Sequence, residues 1–230
     1  MERIILELDY IALDGGERAA AAIEDMLDAC EDPLVAVVPA FRGVSDILAE
    51  SADGGGKRGS AEAAVFRLRE GHLAIAEAME APAAASFAAC LRIEVLLHRL
   101  LALLSAGGKG ERSEILAAGA RLSATCVALA FAALGRPAPI VEPKELGLVA
   151  RAGPAGPHVD LDASGPIILS ALGRFPCAVV PGDSEGAAAV IASALGARLR
   201  DAEAARGLAR ARFAFAPFPR GGIAQKPGVA

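Results

Sequence analysis

The sequence predicts an α/β fold in which a mainly parallel sheet is sandwiched by helices. Three observations predict it. The chain opens with a strand-helix-strand pattern, residues 61–135 carry only helical patterns, and strand patterns return after residue 135. Alternation of strands and helices is typical of parallel sheets, because a crossover helix must connect neighbouring parallel strands.

The composition fits one large globular domain and excludes several classes of partner. The chain has 230 residues, of which 54% are hydrophobic and 22% are charged, so it can bury a full core. The net charge is −5 and aromatic residues make up only 4%. A nucleic-acid binder needs clustered Lys and Arg or aromatic stacking platforms. We therefore expect no nucleic-acid partner.

The first 60 residues predict a strand, a helix, a second strand and a second helix. RIILELDY (residues 3–10) alternates and is rich in Ile and Leu, and GGERAAAAIEDMLDAC (15–30) is rich in helix formers. EDPLVAVVPA (31–40) is a continuous apolar run, typical of a strand covered on both faces. GVSDILAESA (43–52) starts another helix. DGGGKRGS, from Asp53 to Ser60, lacks the Gly-x4-Gly-Lys-Ser/Thr pattern and predicts a flexible turn.

Residues 60–135 form a predicted helical insertion. Its three helical stretches are separated by Pro82 and by GGKG (107–110). APIVEP (138–143), HVDLD (158–162) and PCAVVPG (176–182) then predict strands, and AAAVIASALGARL (187–199) predicts a helix. From residue 200 the periodicity is lost, so we expect a domain over 1–199 and an irregular tail over 200–230.

No segment predicts a membrane span or an export signal. LSATCVALAFAALG (122–135) is uncharged but shorter than the ~20 residues that a span requires. MERIILELDY has no basic region followed by an apolar core. The four cysteines are widely spaced among apolar neighbours and predict small buried side chains, not metal ligands or disulfides. We therefore expect a cytoplasmic protein with no membrane partner.

Four segments, in this order, resemble aspartokinases of the amino acid kinase family. LVAVVPAFRGVSDIL (34–48) is similar to that family's strand and glycine turn, typically Val-Val-Ser-Ala-Met-Gly-Gly-Val-Thr-Asp. REGHLAIAEAM (69–79) resembles the helix that follows. The segment 112–149 resembles the one whose usual core is Gly-Glu-Arg-Leu-Ser, and CAVVPGDSEGAAAVIASALGA (177–197) resembles the strand and helix around Gly-Gly-Ser-Asp. The resemblance implies a three-layer sandwich and an ATP-dependent transferase of amino-acid biosynthesis.

The phosphate-binding end of the first strand departs from the family pattern. The resemblance implies Lys-Phe-Gly-Gly there, with a lysine that stabilises the transferring phosphoryl group. This chain has Glu7, Leu8, Asp9 and Tyr10 instead. Two like charges about 4 Å apart repel by roughly 4 kcal/mol at an effective dielectric constant of 20. The two carboxylates are therefore expected to repel ATP.

The substrate positions are changed as well. Pro39 stands where the resemblance implies a serine, and Ala120 where it implies the glutamate that pairs with the amino group of aspartate. The family's Gly-Arg-Gly-Gly-Ser-Asp is shortened to PGDSEG, which removes the arginine for the substrate carboxylate. The family-like positions that remain are candidate substrate-binding residues. They are Ser45, Arg121, Ser123, Ser184 and Glu185.

Two functions are compatible with a chain that keeps some of the family's positions and has lost others. The first is a degenerate aspartokinase-like protein, a pseudokinase without a cofactor, that acts by interaction as a homodimer or as the partner of an active kinase. The second is a kinase that phosphorylates aspartate or a related small acidic metabolite with ATP and Mg²⁺, using Arg42, Arg121 and Glu185.

Several charged residues allow a functional and a simpler interpretation. Arg42 is either an anion clamp or a solvated loop residue. Glu7 and Asp9 are either a metal-binding pair, since residues two apart on a strand share a face, or strand-end charges. Asp183 and Glu185 either belong to the substrate site or only cap the following helix around Ser184. No hydrolase triad is supported, since His72, His98 and His158 lie in different predicted elements.

Overall fold

The computed structural model describes residues 3–8, 11–13, 15–30, 33–53, 58–106, 112–148, 150–153, 156–182 and 187–201. The strands are β1 (Ile4–Glu7), β2 (Leu34–Val38), β3 (Ala150–Gly153), β4 (Gly156–Val159), β5 (Cys177–Pro181) and β6 (Arg198–Asp201). The helices are α1 (Gly16–Asp28), α2 (Val44–Asp53), α3 (Arg58–Glu77), α4 (Ala83–Ser105), α5 (Arg112–Ala133), α6 (Leu161–Leu172) and α7 (Ala187–Leu195), with a 3₁₀ turn at Pro143–Leu146.

Four strands form one parallel sheet in the order β5-β2-β1-β6. β1 is central: Ile4 pairs with Leu34 of β2 on one side and with Arg198 of β6 on the other. Every residue of β2 and β5 is buried, as a strand covered on both faces requires. β3 and β4 form a separate antiparallel hairpin. The predicted mainly parallel sheet is confirmed.

Helices cover both faces of this sheet, which gives the three layers that the resemblance implied. Successive strand residues point to opposite faces. Leu6 and Ala36 belong to the core that the sheet shares with α1 to α5, while Ile5 and Val35 belong to the core that it shares with α6 and α7. The α/β fold class is thus confirmed from the two separate apolar cores.

The helices α3, α4 and α5 occupy the region where only helical patterns were found. Among the described helices, α5 alone is long and apolar enough to cross a membrane by length and composition, but 72% of its most apolar window is buried inside the protein. Burial against α2, α4 and the sheet explains the uncharged sequence, so α5 is a core helix. His72, on α3, is also fully buried.

Close helix packing depends on a glycine at the start of α1. A Cβ atom added at Gly16 would lie 2.7 Å from the backbone carbonyl of Ala74 on α3. Real Cβ atoms essentially never approach backbone so closely. The absence of a side chain at this position therefore sets how near α1 and α3 approach each other.

Two arginines hold helix ends over long sequence separations. Arg3 donates hydrogen bonds to the carbonyl groups of Leu172, Gly173 and Phe175 at the end of α6. Arg136 donates to the carbonyl groups of Leu27 and Cys30 at the end of α1. These cations add hydrogen bonds to carbonyl groups in and just after the last helical turn, and they interact favourably with the negative end of the helix dipole.

Several predicted boundaries were wrong. APIVEP contributes an isolated bridge between Ile140 and Val179, followed by the 3₁₀ turn, and not a strand. HVDLD ends in α6, whose N-cap Asp160 accepts hydrogen bonds from two backbone N–H groups. The predicted turn from Asp53 to Ser60 is shorter, because both of these residues are helical.

One further prediction needs correction, and the predicted domain boundary stays a prediction. β6 ends at Asp201, just beyond the expected domain end at residue 199. The structure describes nothing of residues 202–230, where the irregular tail was expected. Three of the four cysteines are buried as expected, while Cys90, on α4, is only half-buried.

Candidate functional site

The carboxyl ends of β1, β2 and β5 meet at one edge of the sheet. In parallel α/β sheets ligands bind at this edge. The loops that follow β1 and β2 are joined there: the N–H of Arg42 donates to the carbonyl of Ile11 at 2.7 Å, and the N–H of Leu13 donates to the carbonyl of Arg42 at 3.3 Å. The edge is therefore a connected surface of two interlocked loops.

The start of α2 lies on this edge with its polar side chains exposed. Gly43 has φ of 89°, a conformation that favours glycine, and α2 begins at the next residue. Arg42 and Ser45 are exposed on either side of it. Among the described residues of the two loops, 11–13 and 39–43, Arg42 is the only Lys or Arg. Pro39 is half-buried and offers no hydroxyl.

One face of α5 packs directly behind the loop after β2. Ser123 is fully buried, and its Oγ accepts a hydrogen bond from the N–H of Phe41 at 2.9 Å and donates one to the carbonyl of Gly119 at 3.1 Å. A Cβ atom at Gly119 would lie 2.9 Å from the side chain of Val44 on α2. Ala120 is also buried. Ser123 thus anchors the loop, and its hydroxyl already has both partners.

The loop is held from a second side by His72 of α3. The imidazole ring stacks on the ring of Phe41, with centroids 5.8 Å apart and planes inclined by 11°. Its Nδ1 lies 2.7 Å from the carbonyl oxygen of Leu68. Burial lowers the pKa of His72 to about 4, so the ring is neutral at physiological pH. His72 therefore acts here as a packing residue.

Arg121 lies on the opposite side of α5. Consecutive helical residues are about 100° apart, so a residue two positions from Gly119 or Ser123 points away from them. Its Nε donates to Glu142 at 3.0 Å and its Nη1 donates to Glu114 at 2.7 Å. Burial alone lowers the pKa of Arg121, but the hydrogen bonds to Glu142 and Glu114 outweigh it and raise that pKa. The guanidinium is fixed and charged.

The structure therefore separates the predicted site residues. Ser45 is at the carboxyl edge, Ser123 lies behind it, and Arg121 faces away from it. Glu7 ends β1 at this edge and is half-buried. Asp9, Tyr10, Ser184 and Glu185 lie outside the described residues. In the part of the chain that the structure describes, no group of three or more His, Cys, Asp or Glu side chains is arranged to hold a metal ion.

Sequence reasoning missed the partners of Arg121. Glu142 also accepts a hydrogen bond from Arg92 of α4 at 3.0 Å, so one carboxylate joins α4, α5 and the 3₁₀ turn. These groups border a groove of about 730 Å³ between α4 and α5. Little in the sequence indicated this ion pair, because Arg92 and Glu142 are far apart along the chain. A smaller cleft of about 350 Å³ lies at the start of α1, around Gly15–Arg18.

The fold is that of aspartokinases. No protein-family model matches the chain, and no curated protein matches it. The chain is similar to E. coli aspartokinase III with lysine and aspartate in the T-state, with a TM-score of 0.71 and 15% identity, over 87% of this chain and 49% of that one. The same enzyme with aspartate and ADP in the R-state gives a TM-score of 0.68 and 16% identity, over 87% and 48%. Clostridium acetobutylicum aspartate kinase gives a TM-score of 0.57 and 13% identity, over 87% of this chain and 47% of that one. The chain thus spans about half the length of these enzymes.

Proposed function

We propose that this chain is an aspartokinase-like cytoplasmic protein without phosphotransfer activity, which acts by protein interaction as a homodimer or as the partner of an active kinase. The shared fold supports the kinship with aspartokinases. The chemistry of the carboxyl edge supports the loss of activity. Phosphoryl transfer depends on cations and backbone N–H groups that neutralise the transferred phosphoryl group.

The observation that carries the proposal is the charge at the end of β1. Glu7 stands where the resemblance implies the phosphate-stabilising lysine. A carboxylate about 4 Å from a phosphate oxygen repels it by roughly 4 kcal/mol at an effective dielectric constant of 20, where a lysine would attract it by a similar amount. This single exchange disfavours a bound triphosphate at the end of β1.

The remaining family-like side chains do not compensate for Glu7. Arg121 is occupied by Glu114 and Glu142 on the far side of α5. The hydroxyl of Ser123 is used by the loop backbone, and Ala120 offers no carboxylate for a substrate amino group. Substrate recognition at these three positions would require the core to rearrange.

The alternative function is a kinase acting on aspartate or a related small acidic metabolite with ATP and Mg²⁺. The exposed Arg42 beside the start of α2 favours it, and so does the cleft at the start of α1, where Arg18 is exposed. The first N–H groups of a helix have no intrahelical partner and attract anions. Arg42 and the first N–H groups of α1 thus offer positive charge near the carboxyl edge, while the side chains of Glu17 and Arg18 in the cleft balance each other.

Calorimetry with Mg-ATP separates the two functions. We expect no heat of binding at millimolar ATP and no phosphate transfer to aspartate. The variant Glu7→Lys, compared with Glu7→Gln, tests the physical reason: the lysine should raise nucleotide affinity more than the neutral amide does. Binding at millimolar concentration or tighter by the natural chain, with transfer to aspartate, would refute the proposal.

The interaction half of the proposal needs its own measurement. Light scattering on the purified chain reports a homodimer, and co-expression with an active aspartokinase followed by co-purification reports a mixed complex. We expect one of the two assemblies. A monomer that associates with no aspartokinase would contradict this half of the proposal.

A further inference from the structure

α4 exposes a row of large apolar side chains to solvent. Phe87, Leu91 and Val95 follow one another at intervals of four residues and are 72%, 55% and 44% exposed. Side chains four apart lie on the same face of a helix. Scattered exposed apolar residues are ordinary on protein surfaces, but a contiguous row beside a groove is typical of an interaction site.

The row borders the groove between α4 and α5, whose shape is elongated. The α4 residues that line it recur every three or four positions from Ala88 to Leu103, which corresponds to a length of about 22 Å. Its floor is apolar and includes Leu96, Leu100 and Ala118. A trough about four helical turns long suits the side-chain ridge of another helix better than a compact metabolite.

The walls of the groove are net positive. Arg92, Arg99, Arg121 and Lys144 line it together with Glu114 and Glu142, whereas the whole chain carries −5. Glu142 is shared by two of the arginines, and Arg121 also binds Glu114. Arg99 and Lys144 make no ion pair with any described residue. Two cations at the groove thus remain for carboxylates of a partner.

We propose that the groove between α4 and α5 binds an α-helix of a partner protein, one whose apolar ridge is flanked by Asp and Glu. The ridge packs against Leu91 and Val95, and the acidic side chains face Arg99 and Lys144. This inference rests on the proposed interaction function and identifies its surface. A second copy of the same face is a poor occupant, because a two-fold contact would bring Arg92 and Arg99 of both copies together.

The test uses the full chain and two synthetic peptides labelled with a fluorophore. Both are helices of about 20 residues with leucines along one face, which is long enough to fill the groove. One has glutamates beside the leucines and the other has lysines. Fluorescence anisotropy should show that the acidic peptide binds at least about tenfold more tightly than the basic one.

Two variants of the chain locate the binding, and each has a matched control. Leu91→Asp should weaken binding of the acidic peptide at least about tenfold, whereas Leu169→Asp should not. Leu169 is equally exposed at 56% but lies on α6, across the sheet. Arg99→Glu leaves three cations and three carboxylates on the groove walls, so it should abolish the preference for the acidic peptide, whereas Arg67→Glu on α3 should not. Circular dichroism checks that each variant is folded.

The possible outcomes separate this inference from the proposed function. Equal binding of both peptides, or equal effects of Leu91→Asp and Leu169→Asp, overturns the inference even if the chain is inactive toward ATP. A dimer that Leu91→Asp dissociates also overturns it, since a second copy then occupies the groove. Phosphate transfer to aspartate, with specific binding of the acidic peptide, refutes the proposed function and leaves the groove assignment standing.

Discussion

Acidification should destabilise this protein through His72. The side chain is fully buried on α3, its Nδ1 bonds to the carbonyl of Leu68, and its Nε2 has no hydrogen-bond partner among the described residues. Burial lowers the pKa of His72 to about 4 from the usual 6.5. Protonation would place a charge in an apolar region against Phe41, so the folded state resists it.

The sign and size of the effect follow from this pKa difference. The unfolded chain binds a proton at His72 near pH 6.5 and the folded chain only near pH 4. The contribution of the neutral ring to the free energy of unfolding is therefore fully present above pH 6.5 and is lost as the pH falls toward 4. Between pH 7 and pH 5 this one group removes about 2 kcal/mol of the free energy of unfolding.

Urea denaturation followed by circular dichroism at both pH values measures the effect. In His72→Leu the titrating ring is gone, while the carbonyl of Leu68 keeps its helical hydrogen bond. The loss of stability between pH 7 and pH 5 should shrink by about 2 kcal/mol relative to the natural chain. The matched variant is His98→Leu, which removes an exposed histidine of α4. An unchanged pH dependence in His72→Leu would refute the reasoning.

Three other predictions concern stability and reactivity. Ser123→Ala leaves a buried backbone N–H without its acceptor and should cost about 1–3 kcal/mol in urea denaturation, more than Ser51→Ala, whose hydroxyl bonds only within its own helix. Gly16→Ala should lower the midpoint of thermal unfolding, because the added Cβ would meet the backbone of Ala74. Gly59→Ala places its Cβ in open space and should raise the midpoint slightly. A higher midpoint for Gly16→Ala than for Gly59→Ala would contradict the packing of α1 on α3. Iodoacetamide should modify Cys90 first in the folded protein, as mass spectrometry of the alkylated peptides reports, since the other three cysteines are buried. Equal labelling of all four thiols would contradict it.

The strands of the sheet could be predicted because burial on both faces demands continuous apolar runs. The runs around β2 and β5 admit no polar side chain, so their patterns are unambiguous. α6 was missed because Gly165 and Pro166 interrupt its apolar pattern. Asp160 caps α6 by accepting hydrogen bonds from two backbone N–H groups, and an Asp before an apolar run is the sequence signal that could have predicted this helix.

The arrangement of the site was harder to predict than the fold. A linear motif treats Gly119, Arg121 and Ser123 as one unit, although the pitch of α5 points Arg121 away from the other two. Once α5 is known to be a helix, the two-residue spacing of Arg121 from Gly119 and Ser123 is enough to predict that it points away from them. The link from Arg121 through Glu142 to Arg92 depends on tertiary packing, which no local pattern in the sequence encodes.

The pairing of β1 with β6 has a consequence for synthesis of the protein. β1 leaves the ribosome before the other three strands of its sheet, yet one of its two neighbours, β6, follows almost two hundred residues later. Until then one side of β1 is an unpaired edge, a known template for aggregation, while α3, α4 and α5 can already pack through contacts close in sequence. Chains released before Arg198 should therefore be the species that chaperones retain.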